Sequence, residues 1–101
     1  MLDDSIQKCP IEYRIKLYEN VVLSGGSTMF PKFRERLQAQ TQSILNDRMA
    51  KINAMSGGNA TMDCTVRENI VQRYAVWFGG SVLGAHPGFP SVVKTREMYM
   101  E

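Results

Sequence analysis

Asn20-Val21-Val22-Leu23-Ser24-Gly25-Gly26-Ser27-Thr28-Met29-Phe30 is the stretch from which the rest of the chain is best read. Val21, Val22 and Leu23 form an apolar run with no polar alternation, which predicts a strand buried on both faces. Ser24-Gly25-Gly26 ends that run. Adjacent glycines admit positive φ and let another group come close to the backbone. Ser27 or Thr28 is placed to cap a following helix, and Pro31 suits that helix's first turn. A strand, a glycine turn and a helix start in this order aim backbone N–H groups at the space above the turn, as a nucleotide site requires. No Lys follows the glycines as in a Walker-type loop, and the spacing is not G-x-G-x-x-G. On spacing alone, a tight strand-to-helix turn without ligand is the better reading.

Composition narrows the field. A chain of 101 residues is at most one small domain, and its 44% apolar content is that of a globular protein. Twelve basic and ten acidic residues are interspersed, for a net charge of +2. The cluster Lys32, Arg34 and Arg36 is broken by Glu35 and reads as a solvated helix face, so nothing argues for nucleic acid. Cys9 and Cys64 lie far apart without a C-x-x-C. With seven methionines they suit a reducing, cytosolic setting rather than a disulfide scaffold. His86 is the single histidine, so neither a local metal cluster nor a Ser-His-Asp arrangement is expected. No apolar run is long enough to span a membrane. The opening Met1-Leu2-Asp3-Asp4 is acidic and reads unlike a signal peptide.

In chain order, Asp3 or Asp4 is placed to cap a short helical turn, and Pro10 opens a helix over Ile11–Tyr18. Ile11, Ile15 and Tyr18 share a face of it, with Tyr18 read as a packed ring. A long helix starts near Pro31 and runs to about Ile52. Phe33, Leu37, Thr41, Ile44 and Arg48 trace its inner stripe, with Leu45, Met49 and Ile52 beside it, while Arg34, Glu35, Gln38 and Gln42 form a polar face. Ser56-Gly57-Gly58-Asn59 reads as C-cap and loop. Met62, Cys64 and Val66 alternate with Asp63 and Thr65 as in a half-buried strand. Arg67-Glu68-Asn69 is a polar turn. A helix over Tyr74–Ala85 presents Tyr74, Trp77, Phe78, Ser81, Val82 and Ala85 on one face. Trp77 is its expected core anchor, and the internal Gly79-Gly80 predicts close packing against a neighbour. Phe89–Val93 reads as extended, and Thr95 as the cap of a last helix. Two short strands among these helices make a small sheet with unpaired edges. The chain is therefore expected to be a piece of something larger.

Two motifs carry a family resemblance. Leu23-Ser24-Gly25-Gly26-Ser27-Thr28-Met29-Phe30-Pro31 resembles the adenosine-side glycine motif of the actin superfamily. Gln72-Arg73-Tyr74-Ala75-Val76-Trp77-Phe78-Gly79-Gly80-Ser81 resembles its partner segment near the actin C-terminus. The helices upstream of the glycine turn, the long helix and the second strand stand in the family's order, so the resemblance covers nearly the whole chain. Ser27, the phrase Arg73 to Gly80 and the insertion holding Ser56-Gly57-Gly58 are similar to the actin-related protein 3 subfamily. Pro31-Lys32-Phe33 and the tail Pro87 to Val93 depart from its pattern.

The resemblance implies an α/β class and a partial actin-like fold of the ribonuclease H-like, Hsp70-type ATPase kind, with residues 1–101 as a C-terminal fragment of the ATPase domain. It implies a two-lobed protein holding ATP or ADP and Mg²⁺ between its lobes. Gly25, Gly26 and Ser27 match the turn against the nucleotide's sugar and phosphates. Met29 and Phe30 match residues beside the adenine, and Arg73 a basic residue against the adenine's other side. Leu83, Pro87, Phe89 and Val93 resemble the rim of a hydrophobic cleft for partners. Those partners are actin and the other subunits of an actin-nucleating complex in the cytoplasmic cytoskeleton, with no nucleic acid or membrane among them. The family's phosphate-clamping hairpins and metal-positioning residues have no match here, so no catalytic residue and no metal ligand is assigned, and the chain alone is not expected to hydrolyse ATP. A conventional-actin-like filament protein and a stand-alone partner-binding module are the alternatives.

Overall fold

The computed structural model describes residues 1–101. Val21–Val22 form strand β1, which pairs in parallel with β2, Val66–Arg67, in the register Val21 to Val66 and Val22 to Arg67. The Val21 N–H donates to the Thr65 carbonyl and the Leu23 N–H to that of Arg67, each at 3.1 Å. Parallel strands need a long crossover. Here it runs through α3, Phe33–Ser56, a helix of 24 residues. Two shorter helices precede β1, namely α1, Leu2–Gln7, and α2, Ile11–Tyr18, with Pro10 between them as expected. The result is mostly helix with a two-stranded parallel sheet, as expected of a partial α/β fold.

The core is small. Ile6, Tyr18, Leu23, Leu45, Cys64 and Val66 are buried, and Leu2, Val21, Phe33, Leu37 and Met62 pack at its margin. Strand β1 departs from its expected burial on both faces. Leu23 is buried, but Val22 is 62% exposed, because no element of the chain lies over its face. On α3 the stripe reading holds at Thr41 and Leu45, which are buried, while Ile44 and Ile52 remain largely exposed.

Gln38 and Gln42 do not belong to a solvated face. The Gln38 Oε1 accepts from the Val66 N–H at 3.0 Å. The Gln42 Oε1 accepts from the Cys64 N–H at 2.7 Å, and its Nε2 donates to the Met62 carbonyl at 2.9 Å. The segment from Met62 to Val66 lies along the helix with backbone groups that lack a strand partner there, and the two amides, one helical turn apart, satisfy them. The alternation is as expected, with Cys64 and Val66 inside and Asp63 and Thr65 outside. The strand itself shrinks to Val66–Arg67, since Met62 and Cys64 bond to Gln42 and the Thr65 N–H turns to the Tyr18 carbonyl. Burial pushes the Cys64 thiol above its ordinary pKa.

Helix α3 starts at Phe33 rather than Pro31, with Lys32 in the left-handed region at φ 63°. A non-glycine residue there costs roughly 1–2 kcal/mol. Its other end is capped as expected by Gly57, φ 68°, whose N–H reaches the Asn53 carbonyl at 2.8 Å.

Neither Asp3 nor Asp4 caps α1. Met1 holds that position, and both aspartates lie in the first turn. Asp3 instead accepts two N–H groups of Arg48, at 2.9 and 2.7 Å, and the Tyr18 hydroxyl. Arg48 and Gln7 also donate to the Tyr18 oxygen, at 3.2 and 3.0 Å. One polar knot thus ties α1, α2 and α3, above the fully buried Tyr18 ring. The face that Tyr18 shares is only partly used, since Ile11 and Ile15 are exposed.

The knot sets a pH dependence. Hydrogen bonds from Arg48 first, and from Tyr18, hold the Asp3 carboxyl below its usual range against the opposing effect of burial. The folded state therefore binds this proton less readily than the unfolded one. Its stabilisation is complete above the ordinary carboxylate pKa of about 3.9 and is lost as pH falls through the lowered value. Urea midpoints recorded from pH 6 to about 2 should fall more steeply for the native protein than for Asp3→Asn.

Beyond β2 the chain forms a 3₁₀ turn, Gln72–Tyr74, then α4, Ala75–Ala85, α5, Phe89–Val92, and α6, Arg96–Met100. Thr95 caps α6 as expected, its hydroxyl accepting from the Met98 N–H. No residue of these three helices is buried. Trp77 is 74% exposed, not a core anchor, and a Cβ on Gly79 or Gly80 would meet nothing within 4 Å. Both corrections have one cause, since α4 touches chiefly its neighbours along the chain, the Gln72–Tyr74 turn and α5, and none of its residues is buried. Phe89 to Val92 is a helical turn rather than extended, with Pro90 in its first turn, where a missing N–H does no harm. The protruding elements give a radius of gyration of 18.8 Å, against about 13 Å for a compact chain of this length.

Candidate functional site

The two motifs meet. The turn after β1 is a 3₁₀ helix, Gly26–Met29, entered through Gly25 at φ 93° and ψ 155°. The Gly25 N–H donates to the Gln72 carbonyl at 3.0 Å, joining it to the second 3₁₀ turn. The Thr28 hydroxyl donates back to the Gly25 carbonyl at 2.6 Å. The Gln72 amide Nε2 lies 2.6 Å from that same hydroxyl oxygen and 3.3 Å from the Thr28 carbonyl. Gln72 is 3% exposed, so this exchange is sheltered from water.

This ring leaves particular groups outward. The Gly26 and Ser27 N–H groups have no acceptor within the chain. A Cβ on Gly25 would meet nothing within 4 Å, so the space beside the turn is open. A Cβ on Gly26 would lie 4.0 Å from the Arg73 Cγ, which places Arg73 against the glycine turn. Its guanidinium sits 5.6 Å from the Tyr74 ring centroid, within cation–π range. Met29 and Phe30 follow, 55% and 71% exposed. Two free N–H donors, a cation and exposed apolar surface are what the sugar and base of a nucleotide need. No three His, Cys, Asp or Glu side chains converge where a metal ion could be held.

The structure therefore brings Gly25, Gly26, Ser27 and Arg73 together and keeps Met29 and Phe30 on the same turn. Neither Ser27 nor Thr28 caps the long helix, because the 3₁₀ turn and Lys32 intervene. Leu83, half exposed, lies on α4, and Pro87 is exposed in the connection to α5. Phe89 and Val93 are half-buried at the two ends of α5. Gln72 and the Thr28 hydroxyl are the contributors that the sequence did not single out. Their only signal was position within the two motifs, since the bond between them closes across 44 residues.

The sequence matches the actin family over residues 1–101, its whole length. The chain belongs to the actin family. It is 44% identical to actin-related protein 3 of Dictyostelium discoideum, 46% to that of Saccharomyces cerevisiae and 45% to that of Caenorhabditis elegans. These matches cover 99–100% of this chain and 25%, 23% and 24% of the respective relatives. The actin-family chain thus spans about a quarter of the length of the curated relatives it matches. The family binds ATP or ADP with Mg²⁺ and includes ATPases. No helix is long and apolar enough to cross a membrane.

Proposed function

We propose that this chain is the C-terminal part of an ATPase domain like that of actin-related protein 3, and that it forms the adenosine wall of the ATP cleft. The observation that carries this reading is the joint between Gly25 and Gln72, which sets two free N–H groups beside an exposed arginine. Gly26 and Ser27 would bind sugar and phosphate oxygens, Arg73 and Phe30 the two faces of the base, and Met29 its edge. ATP supplies a transferable phosphoryl group when bound. The residues that would clamp the phosphates and hold Mg²⁺ belong to other segments of the protein, so residues 1–101 alone do not hydrolyse ATP.

An open, largely apolar groove of about 600 Å³ between α1, β1 and α3, lined by Leu2, Val21, Phe33 and Ile44 among others, supports the reading that further chain completes the domain. So does the exposure of Val22 and Trp77. In the whole protein, Leu83, Pro87, Phe89 and Val93 would border a surface for actin and the other subunits of a cytoplasmic actin-nucleating complex.

Arg73→Ala tests the cleft in the whole protein. It should weaken ATP and ADP alike by about tenfold, the loss expected for a cation on a base face. Equilibrium titration with a fluorescent adenine nucleotide reads this out. Affinity unchanged by Arg73→Ala would remove the adenosine wall from this chain.

A further inference from the structure

We propose that Gln72 is a positioning residue for the nucleotide. Through the Thr28 hydroxyl, it holds the free Gly26 and Ser27 N–H groups in register with Arg73. This inference rests on the adenosine-wall reading.

Gln72 touches both motifs at once. Its backbone carbonyl accepts the Gly25 N–H, and its side-chain amide donates to Thr28. The Thr28 hydroxyl accepts from Gln72 and donates its own hydrogen bond to the Gly25 carbonyl, so the peptide groups on both sides of Gly25 are pinned. A hydroxyl that accepts one bond and donates another has its direction fixed. Gln72 also precedes Arg73 directly and is anchored at its own N–H by the Asn69 carbonyl. Movement of the glycine turn relative to Arg73 must therefore break the Gln72–Thr28 bond. A buried residue that only filled space would need no donor aimed at a hydroxyl. The amide adds a geometric requirement, and sites that bind through preset donors lose affinity when the preset relaxes.

The test uses the whole protein and titrations with a fluorescent ATP and a fluorescent ADP analogue, fitting affinity and site number separately. Gln72→Leu keeps the side chain's size and removes its donor, and Thr28→Val does the same for the hydroxyl. Each should raise Kd for both nucleotides by about tenfold with the site number unchanged. The double variant should lose little more than either single one, since both break one linkage. Thr28→Ser restores the hydroxyl and should bind like the native protein, which keeps the test open if Gln72→Leu does not fold.

Native Kd with fewer sites in Gln72→Leu and Thr28→Val would show a merely structural role and overturn the proposal. Losses that multiply in the double variant would overturn it too, since the two residues would then act independently. If Gln72→Leu binds normally while Arg73→Ala does not, Gln72 is not a positioning residue and the adenosine wall stands. If both bind normally, the adenosine wall fails first.

Discussion

Tyr18→Ala is expected to lower stability by about 3–5 kcal/mol, the range for deleting a buried aromatic ring. Tyr18 is wholly inside, packed in the cluster with Ile6, Leu23, Leu45, Cys64 and Val66. Its removal opens a cavity at the place where three helices and the sheet meet. It also strands the groups that its hydroxyl serves, because Asp3 loses a donor and Arg48 and Gln7 an acceptor. Tyr18→Phe separates the two effects. It keeps the ring and should cost only about 1–2 kcal/mol, the scale of a lost sheltered hydrogen bond. Urea midpoints of the whole protein compare the three. Equal losses for the two variants would mean that the hydroxyl, rather than the ring, holds the helices together.

Gly25→Val should cause the largest functional loss, with nucleotide affinity falling by about 10–100-fold as roughly 1–3 kcal/mol of backbone strain is relieved by distortion of the turn. The cause is conformational, not steric crowding. A side chain at Gly25 would meet nothing within 4 Å, but its φ of 93° is one that a β-branched residue resists. To relax, the turn must swing its N–H away from the Gln72 carbonyl and break the joint between the motifs. Gly26→Ala makes the contrast. Gly26 has no positive φ, and its added methyl would meet the Arg73 Cγ at an ordinary 4.0 Å. It should cost far less affinity in the same titration. If the two variants bind alike, the positive φ of Gly25 is not what shapes the site.

Local signals in this chain were legible where local chemistry decides. Pro10 opens α2, Gly57 closes α3 and Thr95 caps α6, because each rests on a dihedral or a hydrogen bond within one turn. Asp3 shows the limit. As a helix-start aspartate it looked like a cap, and its carboxylate instead goes to Arg48, 45 residues away, where two guanidinium N–H groups outcompete a backbone amide. Gln38 and Gln42 show it again, because polarity predicts water only when no unpaired backbone lies opposite. Trp77 errs the other way. Its apolar face predicted a partner, and no element of the chain provides one.

The sequence by itself determined the helices as far as α4, the long helix between two short strands, and the family. The elements follow from residue type at local spacing, and the family from the two motifs at Leu23 to Pro31 and Gln72 to Ser81. Only the tertiary structure decided that the glycine turn and Arg73 are joined through Gln72 and Thr28, and that Asp3, Tyr18 and Arg48 form one knot. Such bonds depend on which buried donors and acceptors meet after the chain has closed on itself, and spacing along the sequence does not encode that.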